Sequence, residues 1–443
     1  MPQYICRYLH FLLLFSSFIC VPSFSQGLGA LVEKASQNDP QWLLANAKFR
    51  ESQEYLPQAY AQLLPSVSYT NNSNKVVQQL TNGATLSPEQ RYPSSSKVLS
   101  LRQPIFRTRQ LIGVESARVQ AEQASYYFKD EAQLMRLRIV DAYINLLLAN
   151  DRKVFLESQK QLVDSRLKAA MAGLRAGQGV RTDVDEAQAE LSKILADEIQ
   201  VRQAILVAKL QVELLTGSAV SDLSPLSLSR FKDQSFMQMS ADQLFDRALQ
   251  SNPRLQAQRL DVQIAEALLK QAESGHYPTL DLTAQVNQSA GESSYFVSSK
   301  NNSQFLGLQL NIPIYSGGQV NSQIRQSLSK LDQAREQISL VTNTLRVQVF
   351  KESSAISEGI KRVEAFEKAV ESAKQAVTSN QKGVLAGTRT EFDVLKNLNQ
   401  LTQVQVELSR ARYELISSWV KLSSLLGAVD EQFIEKLSGL FSS

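Results

Sequence analysis

The sequence predicts a mixed, mainly α-helical fold made of two copies of one structural unit. The first observation is a repeat of short proline motifs. Residues 38–40 (Asn-Asp-Pro) return at 251–253 (Ser-Asn-Pro), and Leu64-Pro65 returns as Tyr277-Pro278, both after 213 residues (253 − 40 and 278 − 65). The second observation is a set of long segments with almost no proline or glycine. A period of this length indicates a duplicated subdomain and not a short solenoid repeat.

The N-terminus predicts a secretory signal peptide over residues 1–25. Arg7 and the apolar residues 11–21 precede a small-x-small cleavage site at 23–25. The apolar run is short for a spanning helix, which needs about 20 residues. A lipid anchor on Cys20 is the alternative, although two bulky residues precede it where small ones are expected.

Composition argues against catalysis. Cys6 and Cys20 both fall in the predicted signal, so the mature chain is expected to lack disulfides, thiolate chemistry and cysteine metal sites. His276 is the one histidine left, at the end of a predicted helix, where a structural role is expected. We therefore predict no enzyme activity, no metal site and no cofactor. Net charge is +4 with both signs mixed, which does not favour nucleic acid as a partner.

The first repeat is predicted over residues 26–219. It comprises a helix over 28–61, two barrel strands over about 66–72 and 97–106 with a polar loop between them, and a long helical hairpin over 108–216. A linker over 220–239 follows.

The second repeat is predicted over residues 240–427, before a C-terminal segment, 428–443. It comprises a helix, barrel strands over about 279–288 and 304–315, and a helical hairpin over 317–427. Apolar side chains occupy alternate positions from Leu280 to Val286 and from Leu306 to Ile314. Period-two patterning of this kind is typical of membrane-barrel strands, and an ordinary half-buried hairpin is the alternative.

Four prolines are predicted to mark the strand–helix junctions. They are Pro65, Pro104, Pro278 and Pro313. Proline lacks the N–H group that a sheet ladder needs and stops a helix that runs into it. We therefore expect the strands to be short.

The helical hairpins carry coiled-coil spacing. Residues 108–175 and 319–385 contain no proline, and each would form a helix roughly 100 Å long. The return helices repeat one heptad register in both copies. Its positions are Val184, Ala187, Leu191, Ile194, Glu198, Val201, Ile205, Ala208, Val212 and Leu215, and then Val394, Asn397, Leu401, Val404, Leu408, Ala411, Leu415, Ser418, Leu422 and Leu425.

Four strands cannot close a barrel, and open edges leave backbone groups unpaired in lipid. Membrane barrels need at least about eight strands, so three copies with about twelve strands are the simplest solution. The alternative is an exported coiled-coil scaffold without a pore, which accounts for the heptads but not for the duplicated strands.

Several segments resemble the TolC family of outer-membrane channels. They are residues 271–284 (QAESGHYPTLDLTA) and 313–323 (PIYSGGQVNSQ), the tip 387–395 (GTRTEFDVL), and the first tip from Gly177 to Val184. The resemblance implies a homotrimer that forms a twelve-stranded barrel in the outer membrane of a Gram-negative bacterium, continued by a twelve-helix α-barrel across the periplasm. It also implies contact with outer-membrane lipid, a periplasmic adaptor protein, and an inner-membrane pump that is a drug transporter or an ABC transporter.

The implied function is an exit duct, gated at the periplasmic helix tips, for small toxic compounds, proteins or both. A channel dedicated to type I secretion of one protein is the alternative. The tip turns match at Gly177 and Gly387. By the motif match, Arg389 would reach Thr182 and Asp183 of a neighbouring tip, across or within protomers, and hold the gate closed.

The resemblance also assigns the lumen of the tips. Asp393 matches an acidic position of the constriction, where a ring of carboxylates favours cations. Lys396 stands where the family pattern has a second aspartate, and Val384 stands where a gate tyrosine is expected. These departures affect the expected selectivity and closure.

Overall fold

The protein is described by a computed structural model that covers residues 27–79, 81–83, 85–220, 239–293 and 296–441. The predicted signal peptide, 1–25, lies outside these residues, as does nearly all of the predicted linker, 220–239.

Each half of the chain contains short helices, a strand pair and a long helical hairpin. The elements of the first half are α1 (Leu28–Asn38), α2 (Pro40–Gln53), α3 (Tyr55–Ala61), β1 (Ser66–Gln78), β2 (Thr81–Asn82), β3 (Thr85–Leu86), β4 (Gln90–Phe106), α4 (Thr108–Arg175) and α5 (Arg181–Thr216). Those of the second half are α6 (Ala241–Ser251), α7 (Pro253–Glu273), β5 (Thr279–Ser293), β6 (Phe296–Asn311), α8 (Gln319–Leu385), α9 (Glu391–Leu425) and α10 (Glu431–Gly439).

The repeated proline motif is a helix break. Asp39 accepts a hydrogen bond from the N–H of Gln41, and Pro40 is the first residue of α2. Asn252 likewise accepts from the N–H of Leu255, at the start of α7. A polar cap followed by proline ends one helix and begins the next. The helix predicted over 28–61 is therefore wrong, because this segment forms three helices.

The sheet is antiparallel throughout and has the order β1-β4-β5-β6. Its strands are longer than predicted: most of the segment assigned to a polar loop from its serine and asparagine content pairs in β1 and β4. Cross-strand pairing outweighs the low strand propensity of these residues. β6 ends at Asn311, so residues 312–315 are not strand, in contrast to the prediction.

Three of the four predicted junction prolines lie next to strands. Pro65 precedes β1, Pro278 precedes β5, and Pro313 follows β6. Pro104 is an exception, because it lies inside β4 opposite Asp281. The partner strand β1 begins opposite Arg102, so Pro104 lies beyond the end of β1, and the β4–β5 register shifts directly after it. The expectation that prolines keep all strands short is wrong for this strand.

The sheet has one apolar and one polar face near the helices. Leu306, Ala284, Leu101 and Val67 are directly paired across the four strands and share a face, because facing residues in an antiparallel sheet point to the same side. The next row toward the strand tips on that face is Gln304, Val286, Leu99 and Tyr69. The opposite face carries Gly307, Thr283, Arg102 and Ser66 in one row.

The long helices pack as two hairpins side by side. α4 pairs with α5, α8 pairs with α9, and α4 also packs along α9, so the lateral order is α5-α4-α9-α8. Every position of the two predicted heptad seams is buried or half-buried. This confirms the seams. α9 has a second buried face, which includes Leu398, Ile416 and Trp419.

The C-terminal residues complete the core. Leu437 and Phe441 are almost fully buried, and the Phe441 ring meets Tyr143 of α4 edge-on with a centroid distance of 5.0 Å. Gln133 of α4 accepts a hydrogen bond from the N–H of Val429 at 3.0 Å. This segment therefore binds the middle of α4. Among the described helices, none combines the length and the apolarity needed to cross a membrane.

Candidate gating site at the hairpin tips

Both hairpin turns use a glycine in the left-handed region. Gly177 has φ +72° and Gly387 has φ +69°. In the first tip the N–H of Gln178 donates to the carbonyl of Gly173, and in the second the N–H of Thr388 donates to the carbonyl of Gly383. In each tip the N–H of the central glycine donates a second hydrogen bond to a carbonyl near the end of the helix. The two bonds together form a Schellman motif, which satisfies the last carbonyls of a helix. The two tips therefore turn in the same way.

The second tip is capped and the first is not. Thr390 and Asp393 form a capping box: the Thr390 N–H and hydroxyl donate to the Asp393 carboxylate at 3.1 and 3.0 Å, and the Asp393 N–H donates to the Thr390 hydroxyl. These hydrogen bonds, first that from the Thr390 backbone, lower the pKa of Asp393, and the charges of Arg389 and Lys396 act in the same direction. In the first tip, Val180 provides no side-chain cap for α5.

The residues predicted to form a latch do not meet within one chain. Arg389 and Thr182 are exposed, while Asp183 and Val384 are half-buried. The Arg389 side chain lies over Gly383, at a position where a Cβ on that glycine would be 2.6 Å from the Arg389 Cγ. Arg389 and Asp183 form no ion pair in the described part of the single chain. A contact between them would need either another arrangement of the tips or a second copy.

A different contact joins the two hairpins near the tips. Arg166 of α4 donates to the carboxylate of Glu391, in the first turn of α9. About two turns further from the tips, Gln159 of α4 donates to the side-chain oxygen of Asn399. The Arg166 and Glu391 side chains are 20% and 31% exposed, so water screens this ion pair less than a surface pair. No sequence pattern predicts this ion pair, because it depends on how the two hairpins pack.

Polar contacts of this kind continue upward between α4 and α9. The Tyr413 hydroxyl donates to Asp151 at 2.9 Å, and the Ser417 hydroxyl donates to Asp141 at 2.9 Å. Burial, and secondarily the Asp151 charge, raises the pKa of Tyr413 well above its ordinary value. Apolar seams thus hold the two helices of each hairpin together. Polar pairs form part of the contact between the two hairpins.

The sequence that forms these hairpins and strands matches a known family. A family model described as outer membrane efflux protein matches residues 31–218 and 244–428. The chain belongs to the outer membrane efflux protein family. It is therefore an outer-membrane protein of the channel class and serves as an exit duct that extends into the periplasm. Members of this family are channels and not enzymes.

Individual relatives match along most of their length. The proteases secretion protein PrtF of Dickeya chrysanthemi is 27% identical over 426 residues, which cover 95% of this chain and 92% of the relative. The alkaline protease secretion protein AprF of Pseudomonas aeruginosa is 28% identical over 438 residues, or 97% and 91%. The outer membrane protein TolC of Vibrio cholerae is 27% identical over 415 residues, or 92% of each.

Solved structures share the fold. The outer membrane protein VceC of Vibrio cholerae superposes with a TM-score of 0.74 at 18% identity, over 90% of this chain and 96% of that one. CusC superposes with a TM-score of 0.77 at 15% identity, over 91% and 92%.

Proposed function

We propose that three copies of this chain form one duct, with their sheets closed into a twelve-stranded barrel in the outer membrane and their hairpins into a periplasmic α-barrel. The observation that carries this proposal is the open four-stranded sheet, whose edges β1 and β6 have no neighbour among the described residues. Unpaired edges are not tolerated in lipid, and further copies can pair them.

The two faces of the sheet support the same arrangement. The apolar residues of β6 are exposed in the single chain: Leu306, Leu308 and Leu310 by 74, 66 and 60%. A contiguous exposed apolar surface fits lipid, and the polar face fits a wet interior. Each strand of the sheet has at least the 9–11 residues that a spanning strand needs.

The outer helices of the chain carry apolar side chains without a partner. On α5, Ile199, Leu206 and Leu214 are 61, 58 and 69% exposed, and on α8, Leu340 and Val347 are 59 and 68% exposed. α5 and α8 are the two lateral edges of the hairpin pair. Contact between α8 of one copy and α5 of the next would cover these side chains.

The relatives support a proposal for the cargo and the partners. Two relatives that match over nearly the whole chain are named for the secretion of proteases. We therefore propose type I secretion of a protein as the primary role, with an ABC transporter as the inner-membrane pump and a periplasmic adaptor between pump and duct. These partners would supply the energy for export.

Deleting the gene tests this role. We expect one or a few proteins to disappear from the culture medium and to return when the gene is restored on a plasmid. Unchanged secreted proteins, together with increased sensitivity to toxic compounds, would contradict it. That result would favour the second candidate, a duct for small molecules, which the relative named outer membrane efflux protein BepC of Brucella suis supports. If the protein were a coiled-coil scaffold without a pore, deletion would change neither the secreted proteins nor the sensitivity to toxic compounds. Carbonate would then release the protein from membranes.

The gate is proposed at the tips. In a closed ring, Arg389 of one copy would bond Asp183 and Thr182 of another, near the half-buried Val384. The exposed Lys396 and the capped Asp393 would face the lumen. A guanidinium can bond a carboxylate through two N–H groups, yet a solvated pair is worth only about 0–1 kcal/mol. Three such pairs would bias a gate that an adaptor can still open. Unchanged conductance of Arg389→Ala in planar bilayers would exclude this latch.

A further inference from the structure

A charged cluster lies at the junction of sheet and helices, far from the tips. We name it the junction cluster: Arg102 of β4, Arg107 between β4 and α4, and Asp281 of β5. Arg107 bonds both oxygens of Asp281, with Nε 2.8 Å from Oδ1 and Nη2 2.5 Å from Oδ2. Arg102 bonds Oδ2 through Nε and Nη2 at 3.2 and 2.7 Å. One carboxylate therefore holds two guanidinium groups.

The cluster presents a positive charge. Two guanidinium groups against one carboxylate leave one net charge. Asp281 is nearly buried, with a side chain 4% exposed, and Arg107 is 20% exposed, whereas the Arg102 side chain is 53% exposed. The buried Asp281 carboxylate thus holds both guanidinium groups in place, while part of Arg102 stays in contact with solvent. Such an arrangement fixes the position of the Arg102 charge without neutralising the cluster.

The surroundings of Arg102 carry no other charge on that face. Directly paired with it across the sheet are Ser66 and Thr283, and Gly307 follows beyond Thr283. The next row away from the helices is Ser68, Ser100, Gln285 and Phe305. All of these side chains are neutral, so Arg102 dominates the local field of the polar face.

We propose that the junction cluster is an anion-attracting element of the duct, and that Arg102 is the residue that presents its charge to the passing solute. This rests on the proposed function, because the polar face lines the lumen only when the sheet closes into a barrel. Three copies then place three positive charges at one level, where the barrel meets the helices. A ring of arginines favours anions in the same way that a ring of carboxylates favours cations. Small anions and acidic segments of an exported chain are the solutes that it would attract.

The test is the reversal potential of purified full-length protein in planar bilayers under a KCl gradient, with the potassium and chloride ions as the probe. Arg102→Gln is expected to shift the reversal potential toward cation preference, by about two- to fivefold in the permeability ratio, since one unit charge a few ångströms from the path has an effect of this size in water. Arg102→Lys keeps the charge and is expected to keep the wild-type value. The shift should shrink in about 1 M salt, where charges are screened within roughly 3 Å.

Arg91→Gln is the matched control. Arg91 lies on the same strand but on the face of Leu99 and Leu101, so the same charge is removed outside the lumen. Its reversal potential should equal that of the wild type. A wild-type value for Arg102→Gln, or an equal shift for Arg102→Gln and Arg102→Lys, would overturn the proposal and leave the cluster as a clamp between β4 and β5. Absence of conductance in the wild-type protein would instead contradict the duct itself.

Discussion

At the scale of single residues, glycine performs two different tasks in this chain. Gly387 and Gly427 both have left-handed backbones, with φ of +69° and +65°. A Cβ on Gly387 would meet nothing within 4 Å, because the tip is open. A Cβ on Gly427 would lie 2.7 Å from the carbonyl oxygen of Ser251, where the end of α9 meets the α6–α7 break. The first glycine is needed for its backbone conformation alone, and the second also for space.

This difference predicts unequal costs for the same substitution. Gly387→Ala should lower stability by about 1–2 kcal/mol, the cost of a left-handed alanine. Gly427→Ala should cost clearly more, because the backbone carbonyl of Ser251 cannot move aside easily. Thermal unfolding followed by circular dichroism compares them, with Gly291→Ala, a strand glycine with open space and no left-handed φ, as the control. Equal melting temperatures for Gly387→Ala and Gly427→Ala would contradict the steric argument.

A second prediction at this scale concerns the cap of α9. The pKa of Asp393 is lowered in the folded chain by hydrogen bonds from Thr390, so its ionised carboxylate stabilises the fold. This contribution is fully present above the ordinary pKa of 3.8 and is lost as the pH falls through the lower folded value. The difference in melting temperature between wild type and Asp393→Ala should therefore be constant from pH 7 to about pH 4 and then decrease.

The control for this pH dependence is Gln400→Ala, an exposed neutral residue about two turns further along α9 that is not among the groups that shift the pKa of Asp393. Its difference from wild type should not decrease in the acid range. If the Asp393→Ala difference were the same at pH 3 as at pH 7, the capping box would not depend on ionisation.

At the scale of elements, the sequence predicted the helices better than the strands. The bounds of α4 and α8 match the proline-free segments, because a long helix is determined by local propensity and by the stop signals at its ends. The lengths of β1 and β4 were underestimated, since their outer halves are serine- and asparagine-rich and are held by cross-strand pairing. The α4–α9 contacts were missed altogether. A heptad pattern shows which face of a helix is buried, but it does not identify a second partner.

The Arg166–Glu391 pair gives a prediction about the elements that it joins. If this contact holds the second hairpin against the first, Arg166→Glu should loosen the tips and raise conductance in planar bilayers, and so should Glu391→Arg. The double variant, Arg166→Glu with Glu391→Arg, restores opposite charges and should return conductance toward the wild-type level. This recovery separates the pair from a general loss of folding.

The chain offers a matched control for that experiment. Lys160 and Glu198 form an ion pair at 2.7 Å only two turns away, but they join α4 to α5 within one hairpin. Reversing the charges of that pair should leave conductance unchanged, because the apolar seam still holds α4 and α5 together. If the Lys160 and Arg166 variants behave alike, the effect comes from charge at this level and not from the contact between hairpins.

At the scale of the whole molecule, the unpaired edges of the sheet predict where copies meet. β1 and β6 are three strand intervals apart in one chain, roughly 14 Å, which is too far for a disulfide, whose Cα atoms lie about 4.4–6.8 Å apart. The chain after residue 25 contains no cysteine, so any disulfide must come from the introduced cysteines.

We expect Tyr69→Cys on β1, combined in turn with Leu306→Cys, Leu308→Cys and Leu310→Cys on β6, to give a covalent trimer under oxidation for at least one combination. Each single variant should give none. If no combination cross-links and the detergent-purified protein has the mass of one chain, closure by neighbouring copies is excluded, and the exposed leucines of β6 need another partner.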